Sequence, residues 1–270
     1  IDGKKIVVIP HATGDENLKF KVSNLAAKKY FGFKKLDKVI TLYVYKSWYK
    51  GTDWIVNAVK EGRGIYNNIK KFIGYLFSCN LAEVLVIFIA LLIGLPFPLI
   101  AIQILWMNLL TDGLPALALG LDKVSWDVMN KPPRNPKETI VNKKDLLFLL
   151  TQGVVMTILT LGLFIYYLGK GDINYSQTIA FSSLVVLQMF NSINYHMGST
   201  KFFSRKLFSN KYLIGAITLS FLLQLLVVYI LNEIFRTVSL LLIDWILIII
   251  AGFIMIGTQE IMKIFIKPDY

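Results

Sequence analysis

The sequence predicts an all-α membrane protein: a six-helix transmembrane bundle preceded by a small cytosolic region with α+β character. Three observations lead there. Hydrophobic residues make up 55% of the 270 residues, above the roughly 45–50% of a soluble domain. The excess falls in long blocks after Lys71, separated by short polar stretches, as membrane spans do. The formal charge of +12 is carried by lysines and arginines that crowd the first 70 residues and then recur in alternate loops. That alternation belongs to a membrane protein with a cytosolic face and argues against nucleic-acid binding, the other common reason for a basic chain.

Residues 1–60 form the N-terminal region. KKIVVIP (4–10) reads as a short strand, residues 18–30 as a helix and VITLYVY (39–45) as a second strand. The region is short for an independent core, and a small α+β piece on the membrane face is its reading. The first residues lack a charged-then-apolar leader, so the first span is expected to direct its own insertion.

The second region, 61–270, begins with a polar stalk and contains spans at 72–93, 98–119, 146–168, 177–195, 212–231 and 238–256. Each is close to the ~20 residues that cross ~30 Å of hydrocarbon. The uncharged Gly94-Leu95-Pro96-Phe97-Pro98 joins the first two as a hairpin. Lysines and arginines fill the segment before the first span, the second-to-third loop, the fourth-to-fifth loop and the tail. Only Lys170 and Arg236 lie in the intervening loops. Both termini are therefore expected on the cytosolic side. Cys79 is the single cysteine, which excludes an internal disulfide.

Polar residues at membrane depth carry the functional information. A carboxylate at the bilayer centre costs at least ~2.5–3.5 kcal/mol and persists where it has a partner or an ion. The first span places Asn80 and Glu83 on one helical face; the second does the same for Asn108, Thr111 and Asp112. If the hairpin packs with these faces together, five oxygen-bearing side chains converge, two of them carboxylates. Such donors suit a hard divalent cation such as Ca2+, and Mn2+ would accept the same oxygens. Asp112 is followed by Gly113-Leu114-Pro115. Pro115 has no N–H for the carbonyl of Thr111, so the helix should unwind there, as in the discontinuous helices of ion transporters. The competing reading is that these residues only join helices by hydrogen bonds. That suffices for a lone Asn or Thr. Two carboxylates on adjacent spans, beside an unwinding signal, favour the ion site.

The fourth span carries Gln188, Asn191 and Tyr195 on one face; with no charge present, hydrogen bonding between helices is the better reading. Asp244 and Glu260 lie near the ends of the last span and are expected to be solvated at the interface. His11 and His196 are isolated in sequence and give no metal motif.

These segments resemble a known family. EGRGIYNNIKKFIGYLFSCNLAEVLVIF (61–88) resembles the stalk and fifth transmembrane helix of P-type calcium pumps, QILWMNLLTDGLPALALG (103–120) their sixth helix, and NKPPRNPKE (130–138) the following cytosolic loop. The resemblance covers about three quarters of the chain. It implies that Asn80, Glu83, Asn108, Thr111 and Asp112 are Ca2+ ligands, with Asp112 bridging. The sodium–potassium pump branch is less similar, having an acidic residue where Asn108 stands. Gln188 occupies the place of an eighth-helix glutamate in two-site pumps, which implies a weakened second site and a single Ca2+ per cycle.

The fourth helix with its glutamate, the actuator domain and the nucleotide domain have no counterpart here, and no Asp-Lys-Thr-Gly phosphorylation motif occurs; Asp37-Lys38-Val39-Ile40 does not match it. ATP and Mg2+ would then act only through domains supplied elsewhere, for example on a companion chain. Gly14-Asp15 resembles part of the family's magnesium hinge, and a shortened, diverged remnant of the phosphorylation domain is the corresponding reading of residues 1–60. Two function classes follow: the ion-binding half of an ATP-driven pump, or a non-catalytic pump fragment or helix-bundle regulator. In either case the partners expected are the lipid bilayer and Ca2+, with no nucleic acid.

Overall fold

A computed structural model of the chain describes residues 49–124, 126–130 and 139–265. The two strands expected in the N-terminal region lie outside the described residues. Among the described residues every regular element is helical. The chain divides into two compact units, residues 1–64 with 124–139, and residues 65–123 with 140–270. Within the first, Arg63 Nη1 donates to the carbonyl of Val128 at 2.7 Å, in the short 3-10 helix Trp126–Met129.

The first helix, α1, runs Tyr49–Leu92. Its 44 residues rise about 66 Å, roughly twice the hydrocarbon thickness, so its polar first half extends beyond the apolar part as a stalk. Gly94 closes the helix with φ +75°, a left-handed conformation that glycine adopts without steric cost. The chain then turns into α2, Ala101–Trp106, a π-helical turn at Met107–Thr111, and α3, Gly113–Gly120. The expected unwinding is corrected: the helix widens into this π turn and continues as α3, with Ala116 N still donating to Asp112 O at 3.0 Å. The amide of Asp112 reaches back five residues to Met107 O at 2.9 Å, and Pro115, one turn on, offers no N–H to the Thr111 carbonyl.

Helix α4 spans Lys143–Leu168, capped by Asn142, which accepts from the Asp145 amide. Helix α5 spans Ile173–Met197, capped likewise by Asp172. After the 3-10 turn Arg205–Phe208 comes α6, Lys211–Tyr229, whose cap Asn210 accepts from Leu213 N and donates to Ala118 O at 2.9 Å. The short α7, Asn232–Phe235, precedes α8, Leu242–Phe265. Such side-chain caps satisfy amides that the first turn of a helix leaves open.

Among the described residues, five helices are long and apolar enough to cross a membrane: those containing 56–92, 101–120, 143–168, 211–229 and 242–265. Helix α5, the fourth expected span, has the length at 25 residues but more polar side chains. The packing explains the composition. Helix α5 is the hub of the second unit, touching α3, α4, α6 and α8, and nineteen of its 25 residues are buried. A helix enclosed by protein can carry polar groups because its neighbours satisfy them. Ser182 accepts from Gln224 at 3.2 Å, Asn194 donates to Gln152 Oε1 at 3.3 Å, and Gln259 donates to Asn194 O at 2.9 Å. The outer surface is the reverse: Phe77, Val84, Phe88, Leu109, Ile158 and Phe253 are exposed, forming the apolar exterior that a bilayer requires.

Candidate cation-binding site

The buried face of α1 is set by the helical period: Tyr75, Cys79, Ala82, Glu83, Val86 and Ala90 are all buried. Gly74 lets this face approach α5, since a Cβ there would lie 2.6 Å from Tyr195 Cε1. Tyr195 fills the junction edge-on to Tyr75 and Phe148, at centroid distances of 6.4 and 5.3 Å.

Two turns further along α1, Glu83 meets Asp112. Glu83 is 3% exposed and Asp112 0%. Asn108 Nδ2 donates to Glu83 Oε2 at 2.7 Å. Gln188 Nε2 donates both to Glu83 Oε1 at 2.8 Å and to Asp112 Oδ2 at 3.1 Å. Tyr75 donates its hydroxyl to Asp112 Oδ1 at 3.2 Å. Every carboxylate oxygen thus accepts one hydrogen bond, and one amide nitrogen spans the two acids. Beside it Gln188 Oε1 is buried with no hydrogen-bond partner among the described residues. A buried amide oxygen beside two carboxylates gives this junction the all-oxygen chemistry that hard cations take. Among the described residues no group of three or more His, Cys, Asp and Glu gathers; the oxygens at this junction belong to two carboxylates, neutral amides and a hydroxyl.

Of the residues singled out by sequence, the fold brings Glu83, Asn108, Asp112 and Gln188 into one network. Thr111 is buried, and its hydroxyl donates to Met107 O at 3.2 Å inside the π turn. Asn80 does not join the network: it is exposed, and its amide donates to Leu76 O at 2.9 Å on its own helix. Asn191, one turn beyond Gln188, donates to Ser78 Oγ at 2.8 Å. Tyr75 was not anticipated, although residues 75, 79 and 83 share the face of Glu83 at spacings of four.

Residues 96–265 match the family described as "Cation transporting ATPase, C-terminus". The chain belongs to this family. A calcium-transporting ATPase of Bacillus subtilis is 46% identical over 199 residues, covering 72% of this chain and 22% of that protein. Calcium-transporting ATPase 1 of Bacillus cereus is 38% identical over 229 residues, covering 78% of the chain and 26% of that protein. A calcium-transporting ATPase of Plasmodium falciparum is 35% identical over 260 residues, covering 79% and 21%. The chain spans about a fifth to a quarter of the length of these curated relatives.

This member of the cation-transporting ATPase family holds a second buried cluster beyond the apolar part of α1. Asp122 Oδ2 accepts from Lys71 Nζ at 2.5 Å and faces His196 Nδ1 at 3.0 Å, while His196 Nε2 faces Lys206 O at 2.8 Å. Both ring nitrogens thus face acceptors, on partners 74 and 10 positions away. Burial by itself raises the Asp122 carboxyl, but the His196 hydrogen bond and the Lys71 charge outweigh it and hold the group at about 2. Burial, with Lys71 nearby, pushes Lys206 down to about 8.

Asp244 corrects an expectation. Instead of being solvated it is 2% exposed, accepting from the hydroxyls of Tyr167 at 2.5 Å and of Tyr175 and from Leu241 N at 2.7 Å. It caps α8 from inside, where two phenols replace the water an interfacial carboxylate would have. Glu260 pairs with Lys263 at 2.5 Å.

Proposed function

We propose that the chain is the ion-binding membrane module of an ATP-driven Ca2+ pump, with one Ca2+ carried between α1, the π turn and α5. The observation that supports this most is the Glu83–Gln188–Asp112 bridge. Two carboxylates are drawn to one amide, where the helix backbone is already distorted. Half a turn of the Gln188 amide exchanges its donor nitrogen for Oε1, converting the bridge into a ligand, and Asn108 can do the same for Glu83. Asp112, held by the π turn, then bridges the ion. Asn80 and Asn108 face the exposed side, where a further helix completes the shell, and Thr111 adds its oxygen as the π turn relaxes. Because Gln188 is neutral, the two charges of Glu83 and Asp112 match a single divalent ion.

The topology that goes with this reading has six spans, α5 included, and both termini cytosolic. Reporter fusions after Tyr270 and in the 169–174 loop should report opposite sides; agreement between them would remove the six-span arrangement. Phosphorylation, nucleotide binding and actuation, with their ATP and Mg2+, belong to segments outside these 270 residues, on the same or a companion chain.

A second reading is supported by the same hydrogen bonds. Each charge-assisted bond contributes about 1.5–3 kcal/mol, comparable with the cost of a carboxylate at depth, so the network can serve as a structural joint in a non-catalytic bundle. Competition separates the two. Cations and protons contend for the same oxygens, so Ca2+ binding to the purified chain should weaken steadily on acidification, with one to two protons taken up per ion released. A pH-independent isotherm, or no binding, leaves the structural joint.

A further inference from the structure

The segment between α5 and α6 combines charge and apolar exposure in a way the ion site does not use. From Gly198 to Tyr212 it carries Lys201, Arg205, Lys206 and Lys211 and no acidic residue. Lys201, Arg205 and Lys211 make no ion pair among the described residues. Between them Phe203 is 95% exposed, Phe208 72% and Tyr212 68%.

The segment's backbone is pinned from below. Lys206 O faces His196 at 2.8 Å, Lys206 Nζ donates to Met197 O at 3.1 Å, and Lys263 Nζ donates to Thr200 O at 2.8 Å. Lys206 is thereby turned inward while the other three cations and three aromatics point out. Helix α6 is an apolar span that starts at Lys211, so this loop lies at the membrane–water boundary. A phenylalanine held open to water is unfavourable. At that boundary, aromatic rings and basic side chains are each favoured, the rings against the acyl region and the cations against anionic headgroups.

We propose that residues 198–212 are a docking surface for anionic phospholipids, with Lys201, Arg205 and Lys211 on the phosphates and Phe203, Phe208 and Tyr212 entering the acyl boundary. The proposal rests on α6 being a membrane span and not on the ion site. It makes this loop a rigid, lipid-selective foot: its partner is a lipid headgroup and not free phosphate, because the aromatics have a role only when acyl chains adjoin.

The test uses the full chain with Phe203→Trp, reconstituted into vesicles of phosphatidylcholine and phosphatidylglycerol in which one lipid at a time has brominated acyl chains. Tryptophan quenching is read as the difference from the parent chain. Phosphatidylglycerol should quench several-fold more than phosphatidylcholine, on the order of fivefold for each engaged cation at low salt. The ratio should approach one at high salt and in Lys201→Gln/Arg205→Gln/Lys211→Gln. Added inorganic phosphate should leave it unchanged. Equal quenching by both lipids overturns the proposal, as does a preference retained in the triple variant or abolished by inorganic phosphate. Strong quenching by aqueous iodide with none from either lipid also overturns it, assigning the surface to water or to a protein partner. The Phe203→Trp comparison stands without the triple variant.

Discussion

Replacing Asp122 with asparagine keeps the shape of the side chain and removes the carboxylate that faces Lys71 and His196. The magnitude follows from the site. The folded group titrates at about 2, against roughly 3.9 for an unperturbed aspartate, so the charged form contributes about 2–3 kcal/mol to the fold. Leaving Lys71 buried without its counter-charge can bring the loss to about 3–5 kcal/mol. For a chain of this size that is a fall in thermal midpoint of very roughly 5–15 °C, readable by fluorescence in detergent at neutral pH.

The pH dependence has a definite sign. The folded value lies below the unfolded one, so the contribution is complete above the unfolded value and disappears as pH falls through the folded one. The gap between parent and Asp122→Asn should therefore be constant above about pH 5 and close between about pH 4 and 2. A gap smaller than about 1 kcal/mol at neutral pH, or one that widens on acidification, would refute the reasoning.

Lys206 has the same pH sign in a higher window, but its charged form costs stability: it loses its proton near 8 in the fold and near 10.4 when unfolded, so the parent should gain stability between pH 8 and 10, a rise that Lys206→Met should abolish in the same melts. Gly74→Ala sets a methyl 2.6 Å from the Tyr195 ring; overpacking of this kind costs about 1–3 kcal/mol, and melts should show it while Gly62→Ala, with open space at its Cβ, shows far less. Gln188→Glu places a third carboxylate between Glu83 and Asp112 and should raise the Ca2+ bound per chain; an unchanged isotherm would remove the single-ion inference and leave the Glu83–Asp112 site standing.

The parts legible in sequence were those whose cause is local. Pro115 and Gly113 announce a distorted helix because the missing N–H and the missing side chain act within one turn, although the distortion is a π turn and not a break. Glu83 and Asp112 announce a buried polar junction because charge in an apolar run is costly wherever the run lies, and the fold brings the two together at Gln188. The hairpin through Gly94 follows from its composition. Other features depend on which segments meet. His196 and Asp122 are separated by 74 positions and Lys71 and Asp122 by 51, so no spacing rule connects them. The phenols that enclose Asp244 come from α4 and α5, which made an end-of-span carboxylate look solvated. Gln188 was read as a hydrogen-bonding residue and it is one; that its amide spans both carboxylates needed the packing of α5 against α1. Asn80 sits three residues from Glu83, and the roughly 60° by which three residues fall short of a full turn is enough to move it from the enclosed side to the exposed one.

Equilibrium binding of radioactive Ca2+ to the purified chain and to Asp112→Asn tests the central claim most directly. Asp112 is the residue held by the π turn, donated to by Tyr75 and Gln188, and its substitution removes a charge while keeping the side-chain shape. The parent should bind close to one Ca2+ per chain, and Asp112→Asn should lose most of that binding while melting as a folded protein. An Asp112→Asn isotherm that overlays the parent's would contradict the assignment of the site.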